Sequence, residues 1–157
     1  MATKIIDKDN GYKKFMKEML KFTKKPYVKI GLLSKKNQRE NSELTNAEIA
    51  VIHEFGAPMA RIPERSFLRS TFDEKNREWA RITSEIVKKV DIRLMSTSEG
   101  LSLLGLTAVN DVKSKLRKGP FVPLSPITIK RRTGNSIKPL IDTAQMINSI
   151  TFEKLNI

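Results

Sequence analysis

The sequence predicts an α+β fold in which several helices, two of them long, pack on a small, mostly antiparallel sheet. Two observations carry this expectation. Apolar residues recur at helical spacing through 68–90 and again through 101–116, each run marking one face of a long helix. Short stretches at 27–33 and 149–155 instead alternate apolar and polar residues and are rich in β-formers.

The elements follow in order. Between Asn10 and Lys25, Phe15, Met16, Met19, Leu20 and Phe22 recur every three or four positions with lysines between them, which predicts an amphipathic helix stopped by Pro26. The strand at 27–33 comes next. Residues 34–44 are polar and charged, too poor in apolar surface to fold alone, and are expected to form a mobile loop that orders against a partner. Thr45 and Glu48 have capping-box spacing, so a short helix should run from Asn46 to Phe55, closed by Gly56 as a left-handed C-cap and by Pro58. Pro63 precedes the first long helix, whose face is Leu68, Phe72, Trp79, Ile82, Ile86 and Val90. Ser98 and Glu99 should begin the second, with Leu101, Leu104, Ala108, Val112 and Leu116 aligned until Gly119 and Pro120 close it. Ser125 and Pro126 read as N-cap and first position of another helix, ending before Thr133. A short helix at 143–148 leads into the last strand.

The 157 residues suit one domain, 1–157. Thirty Lys and Arg against 17 Asp and Glu give a net charge of +13, which favours anionic partners such as nucleic acid or an acidic protein surface. The charge is spread along the chain and the seven Phe, two Tyr and one Trp are not interleaved with it, which fits a solvated surface better than a stacking groove for nucleic acid. The absence of cysteine excludes disulfides, thiolate nucleophiles and thiolate-bound metals. No run approaches the ~18 apolar residues that cross a bilayer, so no membrane partner is expected, and the first residues lack the apolar core of a secretory signal.

An enzyme finds few candidates here. His53 beside Glu54 is the lone histidine, and neighbours on a helix point in different directions, so the pair makes no acid–base couple. His53 is expected to pack at a helix end or an interface. Asp73, Glu74 and Glu78 lie among Lys75, Arg77 and Arg81, where ion pairing three or four residues apart is the expected use. The glycines form no phosphate-binding loop. No catalytic residue, cofactor or metal is therefore expected. A small basic DNA-binding protein remains the alternative, because two helices joined by a short turn can imitate a helix-turn-helix, although no basic recognition helix stands out.

Three blocks together carry a resemblance. They are VKIGLL and its polar loop running into LTNAEIAVIHEFGAPMARIPERSFLRSTFDE, then FVPLSPITIKRR, then KPLIDTAQMINSITF. In this order and spacing the chain resembles the neck and tail-completion proteins of long-tailed bacteriophages, also labelled virion-morphogenesis proteins. The match covers residues 27–152 and leaves the helix within 1–25 outside it. Ser66 stands where the family commonly has Pro, and Ala144 where it commonly has Gly; Ser66 would then cap the long helix.

The resemblance implies a structural subunit without enzymatic activity. It would form a homo-oligomeric ring, sixfold by the usual symmetry of tails, in the virion neck, assembled in the host cytoplasm and joining the DNA-filled head to the tail. Its partners would be a head-closure or connector protein and a tail terminator or tail tube protein, with non-specific contact to genomic DNA; a tail terminator is the nearby alternative. Phe55, Gly56, Pro63, Arg65, Phe67, Leu68 and Arg69 are the expected joint and interface residues.

Overall fold

The computed structural model describes residues 11–33, 43–132, 136–142 and 144–157. Among them the chain forms six α-helices and a two-stranded antiparallel sheet, an α+β fold. Helix α1 (Tyr12–Thr23) is followed by β1 (Tyr27–Leu32), α2 (Asn46–Phe55), α3 (Leu68–Asp91), α4 (Thr97–Lys118), α5 (Pro126–Arg131), α6 (Gln145–Ser149) and β2 (Ile150–Leu155). The strands pair with Tyr27 opposite Leu155 and Leu32 opposite Ile150. The loop expected at 34–44 falls almost entirely outside the described residues.

Helix α4 is the central element and packs on α3 and on both strands. Its approach to β2 requires a residue without a side chain, because a Cβ on Gly105 would lie 2.3 Å from Cδ2 of Phe152. The main core gathers Ala50 of α2, Phe67, Val109, Val112 and Leu116 of α4, Leu140, Met146 and Ile147 of α6, and Ile150 of β2. Long-range polar bonds tie the same elements. Trp79 Nε1 donates to Asp111 Oδ2 at 2.8 Å between α3 and α4, and Asn46 Nδ2 donates to Ser149 Oγ at 2.9 Å between α2 and α6.

Several boundaries and faces differ from expectation for physical reasons. Helix α4 begins at Thr97, with Ser96 as its cap, because Ser96 and Glu99 form a complete capping box: Ser96 Oγ accepts from the N–H of Glu99 and Glu99 Oε2 from the N–H of Ser96. Phe72 is not in the core; it is exposed and meets the edge of Trp79 at 5.9 Å, while Thr71 takes the buried place on α3. Ser149 belongs to α6 and not to the last strand. Gly56 has φ 74° and ψ 171°, a glycine conformation outside the left-handed helical region expected of a C-cap.

Helix α1 is lightly anchored. None of its residues is buried, and Tyr12, Met16 and Leu20 face outward. It is held by the Arg93 guanidinium over the Phe15 ring at 5.3 Å and by Glu18, whose Oε2 accepts the backbone N–H of Thr97 at 3.1 Å.

Candidate functional site

The expected joint forms one connected structure, built around a residue that sequence reasoning passed over. The first turn of α3 has four backbone N–H groups with no partner inside the helix. Its N-cap position is Phe67, which offers no side-chain acceptor. The carboxylate of Glu54, in the last turn of α2, takes their place. Oε2 accepts from the N–H groups of Phe67 and Leu68, both at 2.9 Å, and Oε1 from the N–H of Arg69 at 2.9 Å. Ser66, expected to cap α3, instead donates its hydroxyl to Glu54 Oε1 at 2.7 Å. The correction has a plain cause: Ser66 lies one position before the cap, and the stronger acceptor is a full negative charge at the positive end of a helix dipole.

Arg69 returns the favour to α2. Its Nη2 donates to the backbone carbonyl of Glu54 at 3.0 Å, one of the carbonyls left unpaired at the C-terminus of that helix, and its Nε donates to Glu54 Oε1 at 3.2 Å. The same Nη2 reaches Glu64 Oε1 at 2.7 Å, and the guanidinium lies 4.6 Å from the centre of the Phe55 ring. An anion thus sits at the N-terminus of α3 and a cation at the C-terminus of α2, each matching the dipole it meets.

The chain between the helices is a closed loop. Ala57 and Ile62 exchange backbone hydrogen bonds at 2.9 and 3.0 Å around a 3₁₀ turn at Pro58–Ala60. Gly56 is required where this loop crosses the following segment, since a Cβ there would lie 2.9 Å from the backbone nitrogen of Glu64 and 3.1 Å from the carbonyl of Ile62. Beyond Pro63, Arg65 N donates to the His53 carbonyl at 2.7 Å. The Arg65 side chain is buried and donates from Nε to the Val122 carbonyl at 2.9 Å and from Nη2 to the Pro123 carbonyl at 3.4 Å, which ties the joint to the segment between α4 and α5. Phe67 is 1 % exposed and sits in the main core, with Leu68 packed against that core.

No family model, curated protein or solved structure matches this chain.

The electrostatics of the joint favour fixed protonation states near neutral pH. Burial raises the Glu54 carboxyl, but hydrogen bonds from Leu68, Ser66, Arg69 and Phe67 outweigh it and hold the group below its ordinary value. His53 is pushed down to about 4, first by burial and then by the positive charges of Arg65 and Arg132, so its imidazole is neutral. Its Nδ1 is buried without a hydrogen-bond partner, as is Oε1 of Gln145, and both residues line a cavity of about 280 Å³ with Ile49, Thr128, Arg132 and Asp142. Arg132 closes one wall, donating from Nη1 to the carbonyls of Ser136, Lys138 and Ile141, all at 2.8 Å.

All seven expected joint residues therefore lie in or beside one structure, but they differ in kind. Phe67 and Arg65 are internal, Leu68 packs against the core, Gly56 sits where the loop crosses and Pro63 just after it, and Phe55 and Arg69 reach the surface. The residue that organises them is Glu54. A signal for it existed in the sequence, since an apolar N-cap at Phe67 leaves α3 in need of an acceptor from elsewhere. Among the described residues no group of three or more His, Asp or Glu side chains could hold a metal ion, and no helix is long and apolar enough to cross a membrane.

Proposed function

We propose that this chain is a structural subunit of the neck of a long-tailed bacteriophage, a tail-completion or head–tail connector protein that assembles into a ring between the filled head and the tail. On this reading it works by shape and contact and performs no catalysis. The observation that carries the proposal is the reciprocal cap between α2 and α3. Residues 53–69 belong to the first resembling block, and there Glu54 and Arg69 fix the angle between two helices by charge-assisted bonds. The other resembling blocks converge on it, one through Arg65 at Val122 and Pro123 and one through Leu140, Met146 and Ile147 around Phe67. A ring subunit needs such a joint because an angular error in one copy repeats around the ring.

The test is electron microscopy of lysates from a phage carrying a nonsense mutation in this gene. Filled heads and finished tails lying apart support the proposal, and normally joined particles overturn it. Pro63→Gly and Phe67→Ala then ask whether the joint matters, since both should impair joining or stability.

The net charge of +13 favours one other reading, a small basic DNA-binding protein. Such a protein loses affinity for duplex DNA steeply as salt rises, with a slope set by the number of phosphates it neutralises. A titration across salt concentrations separates the two.

A further inference from the structure

The surface carries an unmatched apolar knob and an unmatched apolar groove. The knob is Met59, fully exposed at 101 % on the 3₁₀ turn of the closed 57–62 loop, with Val51 and Phe55 exposed on the helix just before it. The loop is held by its own backbone bonds and by Gly56, so Met59 is presented at a fixed place. The groove, about 410 Å³, runs between β1 and α3. Val28 and Ile30 of β1, Leu68, Phe72 and Trp79 of α3 and Val112 of α4 are its apolar lining. Phe72 is more than half exposed at its rim.

We infer that Met59 of one copy seats in the β1–α3 groove of the next, so that the chain associates head to tail with a second copy of itself. Charge complementarity selects this occupant. Arg61, two residues from the knob, and Asp73, on the groove rim, each make no ion pair among the described residues. Arg69, the cation lining the groove, is already engaged by Glu54 and Glu64, so among the described residues the charge without an ion pair at the groove is that of Asp73 and at the knob that of Arg61. For two chains of net charge +13, a local pair of opposite sign offsets part of the general repulsion. Knob and groove are different surfaces of one chain, so the contact is heterologous and repeats until it closes. The inference rests on the ring reading for that closure, and on the exposed surfaces alone for the contact.

The chain has no cysteine, which makes engineered cross-links unambiguous. Met59→Cys and Phe72→Cys chains, mixed under mild oxidation, are expected to form the mixed disulfide faster than either variant cross-links with itself. In sedimentation velocity, Met59→Glu should weaken self-association by about tenfold or more. Arg61→Asp should weaken it, and the double variant Arg61→Asp/Asp73→Arg should restore it, which a general change in charge or folding would not do. A wild-type chain that stays monomeric at its highest soluble concentration overturns the inference. So does association that ignores Met59 and Phe72; if the nonsense mutant still separates heads from tails, the neck reading then stands and only the contact falls.

Discussion

Glu18 on α1 accepts the backbone N–H of Thr97 at the start of α4, at 3.1 Å. Glu54 does the same for α3 from α2. Each long helix thus has a carboxylate from an earlier helix at its N-terminus, where it satisfies donors and meets the positive end of the dipole. The two differ in depth. Helix α4 also has its own box at Ser96 and Glu99, whereas the side chain at the N-cap of α3 provides nothing.

Glu54→Ala should therefore be the more costly change. It leaves the N–H groups of Phe67, Leu68 and Arg69 and the Ser66 hydroxyl without their acceptor, an expected loss of about 3 kcal/mol, against about 1 kcal/mol for Ser66→Ala or for Glu18→Ala. Urea unfolding of the three variants checks the order, and an equal loss for all three would show that α3 is not capped from α2.

Glu18→Ala should have a second, local signature. Because α1 buries no residue, its amides are expected to exchange faster with solvent in the variant while those of α4 change little. Hydrogen exchange followed by mass spectrometry reads this directly.

Much of this architecture is legible in the sequence because it is periodic or local. The spacing of Trp79, Ile86 and Val90, and of Ala108, Val112 and Leu116, announces the two long helices, and Thr45 with Glu48 announces the start of α2. Ser96, Thr97 and Ser98 compete as caps, and only the Glu99 carboxylate three residues after Ser96 decides among them. What stays hidden is long-range. Glu54 reads as half of a failed catalytic pair because its partners are backbone groups up to fifteen residues on. Arg65 reads as one of the joint and interface residues, yet its guanidinium is buried against carbonyls at 122 and 123 that no pattern connects to it. Phe72 fits the apolar stripe of α3 but lies a step outside the part that α4 covers, so it is exposed.

Gly56→Ala is expected to cost about 2 kcal/mol or more, since it adds both a strained positive φ and a methyl group against the Glu64 nitrogen. Thermal unfolding measures it. A variant as stable as wild type would mean that the loop crosses itself with room to spare.

Acid should weaken the fold in a defined window. The unfolded chain protonates His53 near its ordinary 6.5, whereas the folded chain resists until about 4, so between these values the unfolded state binds more protons and stability falls as pH falls. The slope contributed is at most ~1.4 kcal/mol per pH unit. His53→Leu should flatten the profile there. From about 4.5 downward the stability contributed by Glu54 and Glu18, both held under the ordinary carboxyl range, is lost in the same direction, that of Glu18 down to about 2. Chemical denaturation from pH 7 to pH 4 that gave parallel curves for both proteins would reject this role for His53.

Gly105→Ala should lower stability by about 2 kcal/mol, because the Phe152 ring must move off β2 or the helix must lift. Phe152→Leu, combined with it, should recover part of the loss. Additive losses in the double variant would place the strain elsewhere.

The pairing of β1 with β2 also sets an order on synthesis. Tyr27 waits for Leu155 and Leu32 for Ile150, so β1 leaves the ribosome long before the strand that completes it exists. Helices α2, α3 and α4, with the cap of α3 among them, emerge in between and hold the means to dock on one another first. Until β2 emerges, the backbone edge of β1 that pairs with it is left without its partner, and a nascent chain stalled before residue 150 would present that edge to any other strand it met.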